Sequence, residues 1–115
     1  MEPEILAIAI VRPFDDRAHD VLALLNEFYA MLARKGYSRD ILYRSHKDPS
    51  RFFNLRYWKS DEMRREAAED PDVHRYWHEL STMGEVETVY EQLEEIPLHG
   101  ARAAARSGAN VDDLS

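Results

Sequence analysis

Apolar and polar positions divide the chain into a few segments with distinct periods. Glu4 to Arg12 is short, rich in Ile and Val, and stopped by Pro13, so it reads as a strand. Its two faces, Ile5/Ala7/Ala9/Val11 and Leu6/Ile8/Ile10, are both apolar, which predicts a strand covered on both sides. Asp15 or Asp16 is a ready helix cap. Ala18, Val21, Leu22, Leu25, Phe28, Tyr29 and Leu32 then recur at helical spacing. Arg34 and Lys35 suit the negative end of that helix, and Gly36 is its expected stop. Residues 40–47 and 51–59 read as two strands joined through Asp48-Pro49-Ser50, a hairpin.

Ser60 is placed to cap a short helix with Asp61 and Glu62 in its first turn, and Pro71 breaks or kinks it. Asp70 restarts the helix with Pro71 in the permitted first position. Val73, Tyr76, Trp77 and Leu80 form an i, i+3, i+4, i+7 stripe as far as Gly84. Residues 85–93 alternate weakly and predict a last strand reaching Ile96, closed by Pro97. Residues 1–97 therefore form one domain, and residues 98–115, rich in Ala, Gly and Arg without a period, form a tail.

The order β-α-β-β-α-β predicts an α+β class, ferredoxin-like fold: an antiparallel sheet with helices on one face. Strand one is apolar on both faces, and the hairpin carries aromatics on both. The face left bare by the helices would thus be a large apolar surface, of the kind that marks interfaces. A two-fold homodimer with sheets face to face is the economical cover, and it predicts a dimeric α+β barrel.

Composition narrows the chemistry. Of 115 residues, 15 are Lys or Arg and 22 Asp or Glu, a net charge of −7, which argues against nucleic acid as a partner. With no Cys, disulfides, thiolate nucleophiles and Cys-ligated metal centres are excluded. Apolar runs are too short to span a bilayer, so no membrane association is expected. Glu2 and Glu4 before the apolar Ile5–Val11 run, and Arg12-Pro13 after it, do not make a signal peptide, which predicts a cytoplasmic protein. Four Gly make no phosphate-cradling loop, and neither a nucleophilic Ser motif nor a glycosidase-type carboxylate pair is present.

The stretch from Asn54 to Leu93 resembles the antibiotic biosynthesis monooxygenase family. Its carriers are Tyr57-Trp58 ending the third strand, Ser60 leading a helix, Pro71 and His74 in a Pro-x-x-His segment, and Tyr76-Trp77 in an aromatic-rich helix. The resemblance implies a homodimer with a pocket between helices and sheet. Some members oxygenate quinols or polycyclic phenols with O2 and no cofactor, others degrade haem, and others have no assigned activity. The haem-degrading branch fits less well. Its strand-one Asn is missing, and ungapped comparison sets Ala67 and Trp77 where its Trp and His belong.

Cofactor-free oxygenation needs an aromatic-lined pocket and a few groups that favour an ionised substrate. Tyr43, His46, Asn54, Arg56, Trp58, His74 and Trp77 could supply them. Asn54 and Arg56 share a strand face with Trp58 and are candidates to polarise a substrate, if that face points inward. If Phe53, Leu55 and Tyr57 point inward instead, Arg56 is a solvated charge. His74 is a candidate base, with a reference pKa of about 6.5. His74 and His78, at i, i+4, could bind a metal, but no third ligand is evident and none is expected. Trp58 and Trp77 serve as pocket walls or as ordinary core, with Tyr43 and His46 as further substrate contacts. The expected activity is a cofactor-independent monooxygenase of a quinol or aromatic phenol. The alternative is a non-catalytic ligand-binding or dimerisation module of the same fold.

Overall fold

A computed structural model describes residues 3–98. Its elements are β1 (Ile5–Pro13), α1 (Ala18–Arg34), β2 (Ser38–Arg44), β3 (Phe52–Trp58), α2 (Asp61–Ala68), α3 (Pro71–Ser81) and β4 (Gly84–Glu94). The strands form one antiparallel sheet in the order β2-β3-β1-β4, the ferredoxin-like arrangement expected. The break at Pro71 is complete, so the second helical region is two helices rather than one. No described helix is long and apolar enough to cross a membrane.

Local chemistry explains the boundaries. The Ser60 hydroxyl accepts from the Met63 amide, and the Asp70 carboxylate accepts from the Asp72 amide, so both expected caps are formed. Gly36, at φ 75°, ends α1: its amide reaches the Ala33 carbonyl while the Tyr37 amide reaches the Leu32 carbonyl. Three expectations are corrected. Neither Asp15 nor Asp16 caps α1. The position falls to Arg17, whose side chain makes no cap, and Asp16 instead takes a left-handed turn at φ 64°. Gly84 opens β4 instead of ending α3, because β4 approaches β1 so closely there that a Cβ would lie 2.7 Å from the Arg12 carbonyl oxygen. β4 stops at Glu94, and Ile96 is exposed. The expected tail lies, but for Leu98, outside the described residues.

Register decides which face is which. Phe52, Asn54 and Arg56 are buried, and opposite them stand Val11, Ala9 and Ala7 of β1. This is the face the helices cover. The core joins Val11 and Phe52 to Val21, Leu25, Phe28 and Leu32 of α1 and Val73 and Leu80 of α3. Phe28 stacks on Tyr76 at 5.0 Å and meets Trp77 edge-on at 5.5 Å, locking α1 to α3. On the other face Leu6, Ile8, Phe53, Leu55 and Tyr57 are only half-buried, and Ile41, Tyr43, Tyr90 and Leu93 are exposed. On that same face of β1, Ile10 is buried while Leu6 and Ile8 keep part of their surface open.

Candidate functional site

Between the helix-covered sheet face and α2–α3 lies a cleft of about 360 Å³, a size at which small-molecule sites are found. Small residues make its room. Ala7 and Ala9 stand on β1 between the larger Ile5 and Val11, and Ala67 and Ala68 end α2 above them. β3 contributes Asn54, Arg56 and Trp58 from one face, as period two requires. α3 contributes Val73, His74 and Trp77, consecutive turns of one helix face. The far side comes from Thr88, Glu91 and Gln92 of β4. Two register shifts between β1 and β4, where irregular pairing disrupts the ladder, fall near these residues, and Gln92 is left-handed at φ 57°.

Asn54 and Arg56 belong to a buried polar network. Arg56 Nε donates to Asp40 Oδ2 at 2.6 Å, with the two side chains 6% and 0% exposed. Asn54 Nδ2 donates to the same oxygen at 3.2 Å, and Ser38 Oγ donates to Asp40 Oδ1 at 2.9 Å. Tyr29, from α1, donates its hydroxyl to Asn54 Oδ1 at 2.7 Å. Burial pushes the Tyr29 phenol well up; the Asp40 carboxylate adds to the rise and Arg56 opposes it. Tyr29 is therefore a donor at any neutral pH, and the Asn54 amide is oriented from both ends. The Arg56 guanidinium also lies 4.8 Å from the Phe28 ring and 5.4 Å from each of the Trp58 and Trp77 rings. Its Nη2 is buried with no hydrogen-bond partner among the described residues.

His74 sits at the exposed rim. Its Nε2 is hydrogen-bonded to the Ala68 carbonyl oxygen, tying α3 to the end of α2. A carbonyl can only accept, so Nε2 carries the proton and Nδ1 is the acceptor of the neutral ring. Arg64, also lining the cleft, is held by Asp61 at 2.8 Å.

Five of the seven site residues expected from sequence, Asn54, Arg56, Trp58, His74 and Trp77, thus line one cleft. Trp58 and Trp77 are at once cleft walls and part of the packing around the core. Tyr43 points from the opposite sheet face, and His46 is exposed beyond the end of β2, so neither lines the cleft. Sequence reading missed Asp40 and Tyr29, which position the site from behind, and the alanines that open it. Among the described residues no group of three or more His, Asp or Glu gathers as a metal site.

No family model and no curated protein sequence matches the chain. Solved structures do. SnoaB, a cofactor-independent oxygenase from Streptomyces nogalater, is 17% identical, with a TM-score of 0.69 over 84% of this chain and 99% of that one. A candidate antibiotic biosynthesis monooxygenase from Nitrosomonas europaea is 14% identical, with a TM-score of 0.68 over 81% and 93%. A conserved protein of unknown function from Bacteroides thetaiotaomicron is 13% identical, with a TM-score of 0.69 over 79% and 99%. At these identities the likeness is one of fold, and the chain has the fold of structures named antibiotic biosynthesis monooxygenases, as the residues from Asn54 to Leu93 implied.

Proposed function

We propose that the chain is a monooxygenase that oxidises a quinol or aromatic phenol with O2 and no bound cofactor. The observation that carries this reading is the convergence of Asn54, Arg56 and His74 on a cleft walled by Trp58 and Trp77. An aromatic ring fits between such walls, and its hydroxyl meets the polar groups. His74 Nδ1 takes the proton of the hydroxyl, or accepts its hydrogen bond. Asn54 and Arg56 favour the resulting anion. The ionised ring is electron-rich enough to give electrons to O2. One oxygen atom replaces a ring hydrogen and ends as a carbonyl, and the other leaves as water with that hydrogen and the hydroxyl proton; the product is a quinone, so all four electrons come from the substrate.

The reading includes a cytoplasmic homodimer. Ile41, Tyr43, Tyr90 and Leu93 expose an apolar surface on the sheet face away from the cleft, and a second copy is the cover the proposal assigns to it. That puts Tyr43 at the dimer interface, not on the substrate. The test is oxygen uptake with quinols. Uptake that survives metal chelation and falls in His74→Ala supports the reading, whereas unchanged uptake in that variant removes His74 from the mechanism. Absence of uptake with any quinol or phenol favours a non-catalytic binding module.

A further inference from the structure

Arg56 and Asp40 are not placed symmetrically about the cleft. Arg56 stands on β3, beside β1 in the middle of the sheet, and lines the cleft. Asp40 stands on the edge strand β2, on the far side of Arg56, and has no place in the lining. Asp40 faces Ser38, Asn54 and Arg56 alone through its hydrogen bonds, and all four residues are on the helix-covered face. A ligand in the cleft therefore meets a buried ion pair from its cationic end. Burial keeps that field unscreened.

The other charged or titratable groups facing the cleft are Arg64 of α2, His74 of α3 and Glu91 of β4. Arg64 is already held by Asp61, and His74 and Glu91 are exposed, so solvent screens them. Tyr29 of α1 faces the same network as a neutral donor. The buried pair is left as the dominant electrostatic feature of the cleft's inner end.

We propose that Asp40 is a positioning residue that sets the ionisation of an aromatic hydroxyl bound in the cleft, by holding Arg56 with its cationic end toward that hydroxyl. The proposal rests on the reading that the cleft takes a hydroxylated aromatic ring, and it narrows the bound form to the phenolate. Asp40 acts in two opposed ways. Its bond to Nε fixes where the guanidinium sits, and its charge tempers the field that Arg56 casts into the cleft. Removing the charge of Asp40 while keeping its hydrogen bond to Nε, and removing Arg56, therefore change the ligand's ionisation in opposite directions.

The experiment is a pH titration of 4-nitrophenol with the whole protein in excess, since phenol and phenolate differ in visible absorption. With the wild-type chain, the midpoint falls at least about one pH unit below that of the free probe, as a nearby opposite charge requires. Asp40→Asn keeps a side-chain oxygen to accept from Arg56 Nε, and so the place of the guanidinium, but drops the tempering charge, and it lowers the midpoint further. Arg56→Gln raises it to the free value or above. Arg39→Gln, which removes a surface cation paired with Glu4 outside the cleft, leaves it in place. If Asp40→Asn does not fold, Asp40→Glu replaces it. That variant keeps the charge but displaces the guanidinium, and a midpoint still at the wild-type value overturns the positioning role. A wild-type midpoint at or above the free value overturns the proposal while leaving the aromatic reading intact, as do Asp40→Asn and Arg56→Gln shifts of the same sign. No binding of the probe by the wild-type chain defeats the aromatic reading and the proposal with it.

Discussion

Arg56 and Asp40 form an ion pair at 2.6 Å that is withdrawn from water at both ends, with side-chain exposures of 6% and 0%. A pair in that setting is costly to break from one side, because the survivor is a buried charge with no partner. Arg56→Met and Asp40→Asn are each expected to destabilise the fold by roughly 3–5 kcal/mol. The double variant leaves no lone charge and recovers part of the loss. Urea unfolding of the three variants checks this, and a double variant as unstable as the two losses combined would show that the pair does not act as a unit.

Ala9 stands on the cleft floor, opposite Asn54 in the register. In a packed core, added methylenes cost about 1–3 kcal/mol because there is nowhere for them to go. Ala9→Leu instead projects into open space, so the expected stability change is below about 1 kcal/mol, while the room for a ring is lost. Aromatic ligand binding should fall at least about tenfold, equivalent to 1.4 kcal/mol. Calorimetric titration with 4-nitrophenol beside thermal unfolding separates the two effects, and intact binding would move the ligand elsewhere.

The fold was legible because its signals are local. Gly36, the Ser60 and Asp70 caps and Pro71 act through their own neighbours, and each does in the structure what its chemistry dictates. The site was legible only up to a choice of face, because β3 carries aromatics on both sides. Burial of Asn54 and Arg56 resolves that choice, and their buried partner Asp40 explains it. Asp40 itself depends on register, which period alone does not fix. A turn centred on Pro49 would set Asp40 opposite Trp58, whereas the observed pairing sets it opposite Arg56. Tyr29 was visible only as one more apolar-stripe residue of α1. Its hydroxyl gains meaning from Asn54, 25 positions away. Tyr43 lies apart from the cleft for the same reason: alternation puts it with Ile41 on the other sheet face.

Tyr43 and Tyr90 are 54% and 56% exposed on that face, at its two edge strands. If two copies pack there, a charge at either place is buried without a partner in the dimer but solvated in the free chain. Tyr43→Glu is expected to dissociate the dimer and leave the secondary structure of the single chain intact. Sedimentation at several concentrations, with far-UV circular dichroism beside it, measures both. A wild-type chain that sediments as a monomer at micromolar concentration would refute the interface outright.

A second polar cluster ties α1 and β2 to α3, away from the cleft. Lys35 Nζ donates to Asp70 at 2.9 Å and to Asp72 at 2.7 Å, and the Tyr37 hydroxyl donates to Asp70 at 2.7 Å. The Lys35 ammonium, then the Tyr37 hydroxyl, hold the Asp70 carboxyl down at about 2. A carboxyl lowered on folding binds fewer protons in the native state than in the unfolded one. The stability it contributes is complete above its ordinary value of 3.8 and disappears as pH falls from there to about 2. Lys35 is raised, first by Asp72 and then by Asp70, so its contribution is complete below its ordinary value and disappears only in strong alkali. Lys35→Met should therefore lower stability at neutral pH and flatten the fall in stability between pH 3.8 and about 2, bringing the two proteins together in acid. Urea midpoints measured across that range check the sign. A Lys35→Met profile parallel to wild type throughout would mean that Asp70 owes its low value to Tyr37 and the Asp72 amide alone.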